Sequence, residues 1–266
     1  MTVAAAGVRR PFRSAGIVVQ ELGVGQPIGY LHGFVGNPGE HPFLHSLAAT
    51  GRRVVAPALP GFTGSAPCDD LRGLYDWVVA TSEVIDLAGI SGGPVVASSI
   101  GAMLALEVAT VRPDAFSHLV LIAPLGLWEP TDPVTDPFAV TLSAQRALLV
   151  ADPQRLAPFF DDVAGRSAEE LVEDNVARYL TRTAAAQLVW PIPEFGISNR
   201  IHRVACPVTL VWGAADELNP PSYLARWSAL LPNVVATHTI PGAGHLAEWD
   251  APDAVAEIVA QALGHS

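Results

Sequence analysis

One apolar stretch constrains what this chain can fold into more than any other. Residues 95–98 suit a buried parallel strand, and residues 100–111 suit an apolar helix that ends before Pro113. Only Ser99 separates the two segments. A strand that turns into a helix at one residue holds that residue in a cramped backbone conformation. The sequence therefore predicts a sharp strand–turn–helix unit with a serine at its apex.

The neighbours of Ser99 fit such a turn, because small residues two positions to either side leave room for it. Ala97 and Gly101 occupy those positions. We expect the turn to project the Ser99 hydroxyl above the sheet and to place the N–H of Ile100 at the positive N-terminus of the helix. An ordinary strand-to-helix crossover, in which Ser98 and Ser99 only cap the helix, fits the same residues and stays open at this point.

Strands and helices alternate on both sides of this unit, after a loose, basic lead-in over residues 1–14. The alternation predicts an α/β fold, with a mostly parallel central sheet, helices on both faces and a ligand site beyond the carboxyl ends of the strands. The predicted strands are 17–22, 27–31, 53–56, 95–98, 119–123, one beginning at 207, and 234–240; the predicted helices are 42–49, 71–87, 100–111 and 252–263.

The alternation stops between residues 126 and 197, where helical patterns and loops rich in proline and aspartate take over. We interpret residues 126–197 as an inserted helical cap, and residues 1–125 and 198–266 as the core. Ser167 and Glu170 form a capping box that opens a cap helix. The apolar residues expected near one face of that helix are Val172, Val176, Leu180 and Leu188.

The cap segment is rich in aromatic side chains. They would supply apolar surface for a lid over a cleft and favour a partly apolar substrate, although each could equally serve only to hold the cap together. They are Trp128, Phe138, Phe159, Phe160, Trp190 and Phe195.

Composition excludes several classes of function. A chain of 266 residues that is 50% hydrophobic is long enough for one large domain with a sizeable core. Its 15 basic and 26 acidic residues give a net charge of -11, which argues against nucleic acid and anionic membranes as partners. All the basic residues are arginine. The absence of lysine excludes Schiff-base, pyridoxal-phosphate and Walker-lysine chemistry.

The cysteines favour a cytoplasmic protein, and the one long uncharged stretch does not suit a membrane span. Cys68 and Cys206 match no metal or redox spacing, so we expect both to be reduced and partly buried. Residues 87–106 carry no charge and have the length of a membrane span, but Gly92, Gly93 and Pro94 interrupt them. We therefore expect no membrane insertion. Export is not expected either, because Gln20 and Glu21 follow Arg9-Arg10 before a long apolar region can form.

Four motifs follow one another in a familiar order. The segment around Ser99 resembles the nucleophile elbow G-x-S-x-G, with Ala97 in place of the first glycine. His32-Gly33-Phe34 resembles an oxyanion loop. The segment Trp212-Gly213-Ala214-Ala215-Asp216 with Pro220 resembles the acid loop W-G-x-x-D-x-x-x-P, and Gly242-Ala243-Gly244-His245 resembles a histidine loop. The order Ser, Asp, His along the chain is typical of the α/β-hydrolase superfamily, which this chain resembles everywhere outside the cap.

The resemblance implies a serine hydrolase site. A serine needs an imidazole to take its proton and an acid to hold that imidazole, and Ser99, His245 and Asp216 would fill these roles. The N–H groups of Phe34 and Ile100 would form the oxyanion hole. The residues expected to contact substrate are His32, Gly33, Ser98, Trp128, Phe138 and Trp190.

No metal or cofactor is expected for this chemistry. His41 and His45 have a spacing that could bind a metal, but Pro42 and the lack of a third nearby ligand favour solvated helix residues. The expected partner is a small-molecule substrate, and the sequence leaves open whether the chain forms a homodimer.

Three functions stay open. The first choice is hydrolysis of a small, partly apolar carboxylic ester or lactone through an acyl-serine. The second is carbon–carbon bond hydrolysis of the meta-cleavage type, although those enzymes usually carry a longer glycine-rich loop and an asparagine where this chain has Ser98. The third is a binding protein or receptor that keeps the fold with negligible turnover.

Overall fold

A single eight-stranded sheet forms the centre of the protein, with the spatial order β1-β2-β4-β3-β5-β6-β7-β8. The computed structural model describes residues 8–10, 16–37, 41–67, 69–161, 165–191 and 193–264. The strands are β1 (Val8–Arg10), β2 (Ile17–Leu22), β3 (Pro27–Leu31), β4 (Arg53–Pro57), β5 (Pro94–Ser98), β6 (His118–Ile122), β7 (Val208–Gly213) and β8 (Val234–Ile240).

Strand pairing is parallel from β4 through β3 to β8, whereas β2 runs antiparallel to both β1 and β4. The predicted α/β fold with a mostly parallel sheet is confirmed. The predicted loose lead-in is wrong at Val8–Arg10, which form an edge strand against Ile17–Val19. A segment of three residues is too short to show the alternation typical of a strand, and it is extended here because it pairs with β2.

Helices cover both faces of the sheet. The described helices are α1 (Pro42–Ala49), α2 (Leu74–Ala88), α3 (Ser99–Val111), α4 (Leu142–Leu149), α5 (Ala157–Phe160), α6 (Ala168–Val189), α7 (Ser222–Leu230), α8 (Ala247–Asp250) and α9 (Pro252–Leu263). One apolar core contains buried residues of α1 and α9, and the other contains those of α2, α3 and α7. None of the helices within the described ranges is long and apolar enough to cross a membrane.

The segment proposed as a cap contains α4, α5 and α6, and its described residues add no strand to the sheet. A single bridge between Gly126 and Glu194 joins the two ends of this segment. Its boundaries at 126 and 197 stay a prediction. The capping box is present at the start of α6, where the Ser167 hydroxyl accepts from the Glu170 N–H and the Glu170 carboxylate accepts from the Ser167 N–H.

The buried face of α6 differs from the predicted one. Val172, Val176 and Leu180 are exposed by 63%, 50% and 47%, and only Leu188 of the predicted stripe is buried. Each four-residue step along an α-helix turns by about 40°, so over sixteen residues the stripe moves to the opposite side. The helix instead buries mostly small side chains, namely Thr181, Ala184, Ala185, Leu188 and Val189.

The two cysteines were expected to be reduced and partly buried, and the structure describes one of them. Cys206 is buried and makes no disulfide, and burial raises the pKa of its thiol to about 11. Cys68 lies outside the described residues.

Candidate active site

Ser99 lies at the turn between β5 and α3 in a backbone conformation that few residues adopt. Its φ is +51°, in the left-handed region, which costs a side-chain-bearing residue about 1–2 kcal/mol. Gly101 allows the turn, since a Cβ there would lie 2.5 Å from the carbonyl oxygens of Leu31 and His32. The elbow therefore needs a glycine at 101 so that α3 can pass close to the end of β3.

The hydroxyl, imidazole and carboxylate predicted from the motifs lie in one chain of hydrogen bonds. Ser99 Oγ lies 2.6 Å from His245 Nε2, and His245 Nδ1 lies 2.9 Å from Asp216 Oδ2. Ser99 and His245 are fully buried and Asp216 is 5% exposed. An ionised carboxylate only accepts hydrogen bonds, so Nδ1 carries the proton and Nε2 is free to accept from the serine. This is the arrangement that a serine nucleophile requires.

The loop after β7 fixes the acid of this chain. Asp216 Oδ1 accepts from the backbone N–H groups of Leu218 and Asn219, at 3.0 and 2.8 Å. The Asn219 side-chain amide donates to the Pro124 carbonyl at 3.0 Å, and the Trp212 indole donates to the Asn219 carbonyl at 2.9 Å. The second carboxylate oxygen is thereby aimed at His245 without freedom to rotate.

The histidine loop passes close to the acid loop. A Cβ on Gly213 would lie 2.0 Å from the Gly244 carbonyl oxygen, so the glycine of the acid-loop motif leaves space for the loop that carries His245. Asp250 holds that loop from the other side, because its Oδ2 accepts from the N–H groups of Gly244 and Ala151 at 2.8 Å each. Asp250 lies outside the four motifs and was not predicted to take part in the site.

The predicted oxyanion loop is a tight turn in which the Gly36 N–H donates to the Gly33 carbonyl at 3.2 Å. Gly33 packs on Ser99, since a Cβ there would lie 3.1 Å from the Ser99 Cβ. Phe34 lies within this turn, and Ile100 follows Ser99 in the first turn of α3. The roles of their N–H groups as oxyanion donors stay a prediction.

His32 holds the predicted oxyanion loop through both ring nitrogens, and its predicted contact with substrate stays a prediction. Its Nε2 accepts from the Leu59 N–H at 2.9 Å, and its Nδ1 donates to the Gly33 carbonyl at 3.0 Å. Both ring nitrogens are therefore occupied by backbone groups. Burial lowers the pKa of His32 to about 4, against the opposing hydrogen bond to Gly33, so the ring is neutral.

Ser98 is buried next to the elbow, and its predicted role as a substrate contact stays a prediction. Its side chain is fully buried beside the Glu248 carboxyl, without a hydrogen bond of good geometry among the described residues. Successive side chains of a strand point to opposite faces, which sends Ser98 to the side of the sheet away from Ala97. Glu248 accepts from the Tyr30 hydroxyl at 3.2 Å, and burial raises the pKa of this carboxyl.

A cavity of about 260 Å³ lies between the oxyanion loop and the cap segment. Its apolar walls are Phe34, Val35, Phe138, Leu142, Leu149, Phe159, Phe160 and Ala185, and its polar lining residues are Gln145, Asn175, Arg178, Tyr179, Thr181 and Arg182. The Phe34 ring packs against one residue of the cavity wall and against His245. Its centroid lies 6.0 Å from that of Phe138 and 6.1 Å from that of His245. The cavity therefore ends one aromatic ring away from the His245 imidazole.

Of the three cap aromatics predicted to contact substrate, the structure places only Phe138 at this cavity. Trp190 is 61% exposed, and Trp128 packs against the main apolar core. Substrate contact by Trp128 and Trp190 stays a prediction, because aromatic content alone does not say which way a loop side chain points. The polar residues of α6 were missed, although the spacing of Asn175, Arg178 and Arg182 by three and four positions would place them on one helix face.

Such a fold and site define an α/β-hydrolase. The model of the alpha/beta hydrolase family matches residues 30–258, and the chain belongs to this family. The chain is 26% identical over 257 residues to 2-hydroxy-6-oxo-6-phenylhexa-2,4-dienoate hydrolase of Burkholderia cepacia, which covers 90% of this chain and 87% of that protein.

Solved structures share the fold. A serine hydrolase of Cycloclasticus zankles superposes with a TM-score of 0.73 at 19% identity, covering 97% of each chain. A meta-cleavage product hydrolase of Pseudomonas fluorescens superposes with a TM-score of 0.68 at 19% identity, covering 92% of this chain and 93% of that one. At these identities the likeness concerns the fold alone.

Proposed function

We propose that the protein is a serine hydrolase that cleaves small, partly apolar carboxylic esters or lactones. The observation that carries the proposal is the buried chain of hydrogen bonds from Ser99 through His245 to Asp216. The apolar cavity beyond Phe34 supports a substrate with an apolar portion.

In the first half of the proposed reaction, Ser99 Oγ attacks the ester carbonyl carbon while its proton passes to His245 Nε2. Asp216 stabilises the imidazolium that forms and itself remains deprotonated. The N–H groups of Phe34 and Ile100 stabilise the oxyanion of the tetrahedral intermediate. The intermediate collapses as His245 returns the proton to the leaving alcohol oxygen, which leaves an acyl-serine.

In the second half, His245 takes a proton from water, and the resulting hydroxide oxygen attacks the acyl carbon. Collapse of this intermediate breaks the bond to Ser99 Oγ, which recovers its proton from His245. The acid product leaves and the site is restored. Every proton moves among water, substrate and these side chains, so the proposed scheme uses no cofactor.

The test is hydrolysis of p-nitrophenyl butyrate by the wild type and by Ser99→Ala. We expect the substitution to lower kcat by about 10³-fold or more, because the nucleophile is lost. Ser117→Ala, at an exposed serine, is the matched control and should keep wild-type turnover. Full activity of Ser99→Ala would contradict the proposal. Thermal stabilisation by ester ligands without turnover in the wild type would instead favour a binding protein.

Carbon–carbon bond hydrolysis is the second candidate, favoured by the relative from Burkholderia cepacia, whose 26% identity extends over 90% of this chain. Ser98 and the short loop His32-Gly33-Phe34 weigh against it. The two candidates separate in one comparison. If a dienone substrate loses its chromophore with a higher kcat/KM than p-nitrophenyl butyrate shows, the second candidate replaces the first.

A further inference from the structure

Arginines line the cap cavity although the chain as a whole is acidic. The chain has 26 acidic and 15 basic residues, yet the described residues around the cavity include Arg178 and Arg182 and no carboxylate. The two arginines lie four positions apart on α6 and therefore share a helix face. The described lining of the cavity thus carries two cationic side chains and no anionic one.

The two guanidinium groups differ in how they are held. Arg178 donates to the Asp161 carbonyl at 2.8 Å and to Asn175 Oδ1 at 3.0 Å. The Asp161 carboxylate next to it is bound by Arg146. Arg182 is partly buried, and it forms neither a hydrogen bond nor an ion pair with any residue that the structure describes. A partly buried guanidinium that has donors to spare is suited to an anionic ligand.

Much of the remaining cavity lining is apolar. Phe138, Phe159 and Phe160 line the cavity, and the Phe34 ring at its boundary lies 6.1 Å from the His245 ring. A ligand that satisfies both ends would carry an anion at one end, an apolar spacer in the middle and a reactive carbonyl at the other.

We propose that Arg182, with Arg178 beside it, binds a carboxylate of the substrate, so that the preferred esters carry an acid group separated from the scissile carbonyl by an apolar spacer. The catalytic part of this inference rests on the proposed ester hydrolysis, whereas the anion site does not. A planar guanidinium holds a carboxylate through two parallel hydrogen bonds. Because the site is partly exposed, salt should weaken the attraction.

The test compares charged and neutral substrates of matched length. One pair places the charge on the acyl part: the p-nitrophenyl monoester of suberic acid and p-nitrophenyl octanoate. The other places it on the leaving group: 4-acetoxybenzoate and phenyl acetate. We expect the wild type to prefer the charged member of at least one pair, and Arg182→Gln to lower that ratio of kcat/KM values by about 10-fold. The pair that responds shows which part of the substrate carries the acid.

Arg155→Gln is the matched control, since Arg155 is an exposed arginine of the same segment that pairs with Asp152 and does not line the cavity. It should keep the wild-type ratio, and raising the salt concentration should lower the ratio of the wild type but not that of Arg182→Gln. A wild type that prefers the neutral members, or an Arg182→Gln ratio equal to that of the wild type, would overturn the inference.

The anion site can be tested even if the protein does not hydrolyse esters. If the wild type cleaves none of these esters, thermal unfolding of Ser99→Ala with hexanoate or 1-hexanol tests binding alone. Hexanoate should raise the Tm more than 1-hexanol does, and adding Arg182→Gln should abolish the difference. Equal shifts from the acid and the alcohol would refute the anion site, independently of the reaction.

Discussion

Asp216 holds His245 through one oxygen while its other oxygen is held by the backbone: Oδ2 lies 2.9 Å from His245 Nδ1, and Oδ1 accepts from Leu218 and Asn219. The acid therefore fixes both the position and the tautomer of the imidazole. That relationship joins the loops after β7 and β8 to the elbow after β5, and the proposed chemistry depends on it.

Replacing the acid by its amide tests this relationship. In Asp216→Asn, the amide NH₂ can donate to Nδ1 and so favour the tautomer whose Nε2–H points at Ser99. We expect kcat for p-nitrophenyl butyrate to fall by about 10³–10⁴-fold with the fold intact. Glu217→Gln, at the exposed neighbouring carboxylate, should change kcat less than twofold. Equal effects of the two substitutions would contradict the assignment of Asp216.

A methyl group on Gly101 should disrupt the elbow. The added Cβ would lie 2.5 Å from two backbone oxygens, which cannot move away as a flexible side chain can. We expect Gly101→Ala to lower the free energy of unfolding by about 1–3 kcal/mol or to prevent folding, measured by urea denaturation. Gly73→Ser adds a side chain where nothing lies within 4 Å and should leave stability unchanged or slightly raised. A fully stable and active Gly101→Ala protein would show that the elbow is looser than described.

Buried histidines should make the protein less stable in acid. They include His41, for which the sequence prediction of a solvated residue is wrong: it is 2% exposed, and its Nε2 lies 3.1 Å from the Tyr30 hydroxyl. Burial lowers the pKa of His32 to about 4 and that of His41 to about 3, both from 6.5, so the unfolded chain binds protons that the folded protein does not. The two histidines therefore leave the free energy of unfolding unchanged above pH 6.5 and lower it as the pH falls towards 4. For His32 the loss is about 3 kcal/mol, at about 1.4 kcal/mol per pH unit.

Urea denaturation between pH 7 and pH 4 measures this dependence. His32→Gln keeps an acceptor for the Leu59 N–H but does not titrate, so its stability should fall less steeply with acid than that of the wild type. His45→Gln, at an exposed position of α1, should leave the slope unchanged. Identical slopes for the wild type and His32→Gln would show that His32 is not held neutral.

The central sheet and the hydrogen-bonded arrangement of Ser99, His245 and Asp216 could be predicted because local patterns report them directly. The bounds of β2, β3, β8, α1 and α9 agree with the predicted segments. Two motif glycines, Gly101 and Gly213, mark places where another backbone passes within 2.5 Å or less of a would-be Cβ, so the motifs record physical contacts.

The cap could not be predicted to the same depth. The sequence predicts Val172 on the apolar face of the cap helix and Trp190 in contact with substrate, yet both side chains are more than 60% exposed. A helix that packs through small residues such as Ala184 and Ala185 leaves no large apolar stripe to signal its buried face. The position of Asp250 was missed for another reason, since its partners are backbone N–H groups of a distant loop, which carry no sequence signal.

The most direct measurement of the central claim is covalent labelling with a fluorophosphonate, followed by mass spectrometry of the digested protein. The account predicts a single phosphonylated serine at Ser99, a labelling rate at least about 10²-fold lower in Asp216→Asn and no label on Ser99→Ala. Labelling at another serine, or an unreactive wild type, would contradict it.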